Sequence, residues 1–339
     1  MQDNINTILN NALVVTNDNL VQNIDLIIKK IKESLKVNED LLISANKIDQ
    51  KNNNGFIMDT KVIDNIFSNI EKETSKYGTV TISRKDTEKG LIYGKELLDI
   101  GNVIVINDGN PYVIIEMSLR NILASNKTIF VNSGYMYGTN QLIIKLMQAV
   151  LEQFNISKYM LSLFITENYE EVLSHYANID LVVCIGNNHL QRLILEKSKS
   201  KTITSGYENF DLYIEDTNNL DFLNTILNTG VNINLYINKN TNLDCPDAIL
   251  VDDIDEAIAQ INYNGNTYST SIFTKSSTNA SRFIKEIKSS IVTVNTSPTI
   301  ERIIDIKQSA LSLEKTIIYP LNFTITNSSE KVDITDEIF

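Results

Sequence analysis

The sequence predicts an α/β protein built on a parallel, doubly wound sheet. The first observation is the stretch Asn178–Leu227. There the apolar run Leu181-Val182-Val183-Cys184 precedes the turn Gly186-Asn187-Asn188, then Leu190, Leu193 and Ile194 at helical spacing. Two more short runs, Thr202–Thr204 and Leu212–Ile214, complete a strand–turn–helix–strand rhythm. The second observation is that residues 103–214 read throughout as repeated β-turn-α units. The third is a smaller set of alternating strands and helices further on, a second α/β unit.

Taken in order, the chain begins with helices. Leu20, Ile24, Ile27, Ile28, Ile31 and Leu35 recur at helix spacing, with Asp18 or Asn19 as the N-cap. Asp40–Ile48 forms a second short helix, Gly55 breaks the pattern, and Val62–Glu71 makes another. Thr79–Ser83 and Leu91–Tyr93 flank the charged turn Arg84–Lys89 and predict a hairpin. The β-rich run Val103–Ile106 stops at the turn Asn107-Asp108-Gly109-Asn110-Pro111. A helical segment Ile114–Leu123 leads into the strand Thr128–Val131, closed by Asn132-Ser133-Gly134. Leu142, Leu146, Met147, Val150, Leu151 and Phe154 mark the next helix, and Met160–Ile165 the next strand.

Beyond the central stretch, Ile233–Ile237 and Ala248–Val251 read as strands, and Ile254, Ala257, Ile258 and Ile261 as an amphipathic helix. Ser271–Thr274 is a strand, Ala280–Ile287 a helix and Ile291–Val294 a strand. Thr316–Thr326 alternates as a β segment, an edge strand open to pairing with a partner subunit. The acidic tail Asn327–Phe339 is expected to fray.

Composition narrows the function. At 339 residues and 42% hydrophobic content, the chain can fill two cores. A formal net charge of -12 speaks against a nucleic-acid partner. The lysines Lys197, Lys199 and Lys201 at one helix end read as a solvated face rather than a phosphate site. The two cysteines, Cys184 and Cys245, form no CxxC pair, and His175 and His189 have no metal-ligand spacing, so no disulfide framework or metal site is expected. The N-terminus lacks a basic signal region and no apolar run is long enough for a membrane span, which predicts a cytoplasmic protein. In parallel sheets ligands sit beyond the carboxyl ends of strands, so Gly186-Asn187-Asn188 is either a ligand turn or a plain connector.

The order of segments resembles one family. Leu41–Asp49 is similar to the "eeIlxANxxD" helix end of gamma-glutamyl phosphate reductases (glutamate-5-semialdehyde dehydrogenases), members of the aldehyde dehydrogenase superfamily. Ile179–Asp216 resembles that family's "yIDxxIPRGGxxL…IPVixxgxGxxhxYvD", Asp252–Asn295 its "xxlDeAixHIxxyGxxHsdaIxTxdxxxAxrFxxxvdsaxVxvN", and Ser309–Ile318 its "GpmGLexLTxyK" closing strand.

The resemblance implies an aldehyde dehydrogenase-like fold: a doubly wound cofactor-type domain over 1–228 with a hairpin arm at about 78–102, and a reduced catalytic-type domain over 229–297. A return segment and arm strand over 298–326 and the tail 327–339 would complete it, with homo- or hetero-oligomers formed through the β-arm. Family members reduce gamma-glutamyl phosphate with NADPH, through a thiohemiacetal on a cysteine, in proline biosynthesis. The cofactor would be NADP or NAD, at Ser133, Gly134, Gly186 and Asn187.

The departures from the family pattern fall on its chemistry. The "NAK…RPxxCNxxEtLLV" nucleophile stretch has a counterpart only in Asn228-Thr229-Gly230, so the catalytic segment is missing and the chain is a shortened, degenerate version. Cys245 is the one weak substitute, because a reactive thiol needs an activating environment. Cys184 stands near the proline of "PRGG", at a strand end where burial is expected. Tyr135 falls where "ilRgGKE" has its lysine, Tyr112 replaces the asparagine of "YEaRPNV", and Asn295–Ile300 lacks the arginine of "NaSTRF", with Arg302 nearby. The resulting expectation is a pseudoenzyme, a binding or assembly protein with no cofactor. The alternatives are an NAD(P)-dependent reductase using Cys245 and a nucleotide-binding sensor on the same fold.

Overall fold

A computed structural model describes residues 4–52, 58–72, 80–205, 210–216, 233–241, 243, 245–246, 248–264, 269–298, 306 and 308–321. The expected 228/229 domain division, Asn228-Thr229-Gly230, Arg302 and the tail 327–339 lie outside those residues. Two compact units emerge. One comprises Met1–Cys184, Ile194–Ile203 and Ile306–Phe339, the other Ile185–Leu193 and Thr204–Asp305.

The first unit opens with helices α1 (Ile5–Leu13), α2 (Asp18–Val37), α3 (Glu39–Asn52) and α4 (Thr60–Ile70). Helix α2 buries the stripe Leu20, Ile24, Ile27, Ile28, Ile31 and Leu35 that its sequence spacing marked. Its N-cap is Asn17 rather than Asp18 or Asn19. The Asn17 amide makes no cap bond; its Nδ2 donates to Ser125 O (3.0 Å) and Asp99 Oδ2 (3.3 Å). A tertiary partner outcompetes the local one.

Strands β1 (Val80–Asp86) and β2 (Leu91–Asp99) form the expected hairpin, extended beyond the predicted residues. Strands β3 (Asn102–Asn107), β4 (Lys127–Asn132), β5 (Leu161–Ile165), β6 (Leu181–Ile185) and β7 (Thr202–Ser205) make a sheet of order β5-β4-β3-β6-β7. Its β3–β4 and β4–β5 pairs are parallel.

Helix α5 (Pro111–Leu123) starts at the proline, three residues earlier than the sequence suggested. Pro111 supplies a first-turn φ at no hydrogen-bond cost, and the Asn110 side chain caps Tyr112 N at 2.9 Å. All thirteen of its residues are buried, including the ion pair Glu116–Arg120 (3.0 Å). Helices α6 (Tyr137–Gln153), α7 (Tyr169–Ser174) and α8 (Asn188–Lys197) follow β4, β5 and β6. Lys197 pairs with Glu170 and Lys199 lies over the Tyr176 ring, so neither gathers a phosphate site.

The second unit holds a wholly parallel sheet of order β10-β9-β8-β11-β12. Its strands are β8 (Phe210–Ile214), β9 (Ile233–Asn238), β10 (Ile249–Val251), β11 (Ser269–Phe273) and β12 (Ile291–Val294). Leu212–Ile214 therefore stands at the centre of the second sheet, not at the end of the first series of β-turn-α units. Period-two alternation sends Tyr213 and Tyr236 to one face, under helices α9 (Ile254–Asn264) and α10 (Ser277–Glu286). Leu212, Ile214, Leu235 and Ile237 fill the other face.

The last strand, β13 (Ser312–Pro320), begins and ends earlier than the predicted Thr316–Thr326 segment, whose residues 322–326 lie outside the described ones. It joins β2 antiparallel in the first unit, making a three-stranded arm of order β1-β2-β13. Among the described residues no helix is long and apolar enough to cross a membrane.

Candidate functional site

Two turns of one design stand at the carboxyl ends of β3 and β4, the edge where parallel sheets take ligands. In the first, Asn107 Oδ1 accepts from Gly109 N at 2.6 Å; in the second, Asn132 Oδ1 accepts from Gly134 N at 3.0 Å. Both glycines sit at positive φ, +96° and +89°. A Cβ at Gly109 would come within 2.3 Å of the Tyr135 carbonyl oxygen, so the two turns approach more closely than any side chain there allows. Asn140 of α6 fastens them, donating to Gly109 O at 2.7 Å. Nδ2 of Asn107 and of Asn132 are buried without a partner among the described residues.

Ser133 is exposed and Gly134 half-buried at the tip of the second turn, where the sequence placed a cofactor. The helix that follows is capped from elsewhere in the chain. Helix α6 has Met136 at its N-cap position in the left-handed region (φ 56°), with no side-chain cap of its own. Asp49 of α3 supplies one instead. Its Oδ2 accepts from Thr139 N and from Thr139 Oγ1, both at 2.7 Å, and its Oδ1 from Gly138 N at 3.2 Å. A carboxylate thus occupies the positive end of the α6 dipole, the place where an anionic ligand group is otherwise favoured. The turn itself, Asn132 to Gly138, contains no cation.

Gly186 and Asn187 fall in the second unit. Gly186 N donates to Ser205 O (3.1 Å), and the Gln191 side chain donates to Gly186 O (2.7 Å). The Asn187 side chain accepts from Leu190 N (2.9 Å), an ordinary helix cap. A Cβ at Gly186 would meet Leu190 Cδ2 at 2.9 Å, so the glycine permits close helix packing. These backbone donors are committed within the chain.

The two thiols stand in different surroundings. Cys184 is fully buried, and burial, reinforced by the Asp108 carboxylate, pushes its thiol up to about 12. The nucleophile and metal ligand is the thiolate, which such a site suppresses. Cys245 is half-buried and packs on the apolar cluster of Leu212, Ile214, Leu235, Ile237 and Phe273. Tyr112, at the family's asparagine position, accepts a hydrogen bond from Asp59 N (2.6 Å) and so holds the start of α4. Among the described residues no group of acidic, histidine and cysteine side chains could hold a metal ion. The cap made by Asp49 has no signal in the sequence beyond its place as the last residue of the family-like segment Leu41–Asp49.

No protein-family model matches the chain. A gamma-glutamyl phosphate reductase of Dictyoglomus turgidum is 21% identical over 224 residues, 64% of this chain and 52% of that protein. In structure, the gamma-glutamyl phosphate reductase of Thermotoga maritima matches with a TM-score of 0.64 at 17% identity, over 94% of this chain and 97% of that one. The glyceraldehyde-3-phosphate dehydrogenase GapN of Methanocaldococcus jannaschii, complexed with NADP, matches at 0.69 and 12% identity, over 93% of each chain. The chain has the aldehyde dehydrogenase fold.

Within that fold its sequence similarity is to gamma-glutamyl phosphate reductases, as the order of its segments indicated, and it spans about half the length of the curated relative just described (52%). The aldehyde dehydrogenase fold accounts for the two parallel sheets and the antiparallel arm.

Proposed function

We propose that the chain is a non-catalytic homologue of gamma-glutamyl phosphate reductase that works as a binding or assembly protein. The observation that carries this reading is where its cysteines lie. Covalent reduction of an acyl phosphate requires a cysteine thiolate within reach of the substrate carbonyl. The chain has two cysteines. Cys184 is sealed in the sheet as a thiol, and Cys245 lies against aliphatic and aromatic side chains.

The assembly half of the proposal rests on the arm. Among the described residues strand β13 has β2 on one side only, and Leu313 and Ile318 are about half exposed along it, at 50% and 54%. An edge strand with exposed apolar side chains is a natural pairing surface for another chain.

Two measurements test the two halves separately. Incubated with NADPH and gamma-glutamyl phosphate, the purified protein is expected to leave the nicotinamide absorbance unchanged. Turnover that disappears in a Cys245→Ala variant would refute the non-catalytic reading and restore the reductase one. Light scattering on the eluting protein should find an oligomer that Ile318→Lys dissociates, and a strictly monomeric parent protein would remove the assembly role.

A further inference from the structure

One face of α6 borders a cavity that neither the strand-end turns nor the arm uses. It measures about 290 Å³ and lies within the first unit, where α6 faces α1, the 3-10 turn Lys158–Met160 and β5, an edge strand of its sheet. The sequence accounts for the space. Tyr137, Gln141, Ile144 and Gln148 recur along one stripe of α6, and of these four only Ile144 is fully buried. A stripe that would ordinarily close on the neighbouring strand ends instead in long polar groups. Gln148 bridges the gap, its Nε2 donating to Lys158 O (3.1 Å) and Leu161 O (2.7 Å), which fixes the 3-10 turn as one wall.

The described lining has one sign of charge. Lys145 and Lys158 contribute two ammonium groups, and among the described residues no aspartate or glutamate lines the cavity and neither lysine has an ion-pair partner. Flat walls come from Tyr137 and from Tyr159, whose ring centre is 5.1 Å from Lys158 Nζ. Ile8 and Ile144 add an apolar floor. In a protein of net charge -12 this is a local positive concavity, and such a recess concentrates anions against the field of the surrounding surface.

We propose that this cavity is a binding site for a small organic anion with a planar, partly apolar body, of the class of aryl carboxylates and aryl phosphates. The lysines select the charge, the tyrosines and isoleucines the body. The volume suits a ligand of one ring and its substituents rather than a dinucleotide. The site is independent of the strand-end turns and of the reading drawn from them.

Calorimetric titration of the full chain with benzoate and with phenyl phosphate tests it, with benzyl alcohol and inorganic phosphate as comparators. Both aryl anions should bind saturably, more tightly than either comparator, and more weakly as salt is raised. Lys145→Gln with Lys158→Gln should weaken both by roughly fivefold to tenfold, as the loss of two exposed charge contacts implies. Tyr137→Ala should weaken the aryl anions and leave inorganic phosphate unchanged. The proposal is overturned if neither aryl anion gives saturable heat, if benzyl alcohol binds as well as benzoate, or if the double lysine variant, melting as the parent does, binds the anions unchanged.

Discussion

At the scale of single residues, the chain places polar groups where they serve its own backbone. Asp49 completes a helix ninety positions away in sequence, Asn140 clamps one turn to another, and Tyr112 receives the Asp59 amide. Cys184 has the clearest energetic signature. Its thiol titrates at about 12 in the folded chain against an ordinary 9.0, so the folded state holds the proton longer. The stabilisation this gives is full below pH 9.0 and is lost as pH rises from there towards 12. By that linkage the native state should lose about 2 kcal/mol between pH 8 and pH 10.5 from this group alone. Urea unfolding at the two pH values should show a smaller loss in Cys184→Ala than in the parent, and equal losses would remove Cys184 as the cause. Burial of this residue was legible from the apolar run around it. The role of Asp49 was not, because a cap contributed from another helix leaves no periodicity in the sequence around either partner.

At the scale of elements, α5 is the most informative. Its sequence begins with a turn and a proline, both legible, and then runs Tyr-Val-Ile-Ile, which favours a strand as readily as a helix. Tertiary burial on all sides decides for the helix, and it draws Glu116 and Arg120 inside as a pair, 7% and 4% exposed. A buried pair costs most when broken on one side. Glu116→Leu should therefore destabilise the protein by about 3–5 kcal/mol, while Glu116→Leu combined with Arg120→Met should recover most of that. Chemical denaturation of the two variants and the parent checks this, and a double variant no better than the single would show that the pair is not the seat of the loss. Strand β8 makes the complementary point. Its Leu212–Ile214 was correctly read as a strand, yet nothing in so short an apolar run says which of two sheets will receive it.

At the scale of the whole molecule, the fold class came through because it depends on many short apolar runs rather than on any one of them. The excess of negative charge acts at this scale too. With a net charge of -12 the folded chain repels itself, and salt shortens the reach of that repulsion to about 10 Å at 0.1 M. Raising sodium chloride from about 0.01 M to about 0.2 M should lift the Tm by a few degrees. A fall in Tm would mean that attractive pairs such as Lys30–Glu33 and Lys239–Asp252 outweigh the net repulsion. The arm has a consequence in time rather than in energy alone. Lys95 and Glu314 meet across 219 positions of chain, so β2 leaves the ribosome long before its partner strand exists. Closing so long a loop opposes pairing by roughly 5 kcal/mol, and the nine paired positions of β13 and β2 must outweigh it. The first unit is therefore the first to begin folding and, with its last strand made only after the second unit, the last to finish. In the interval the inner edge of β2 stays open on the nascent chain, a template for misassembly that only the synthesis of β13 removes.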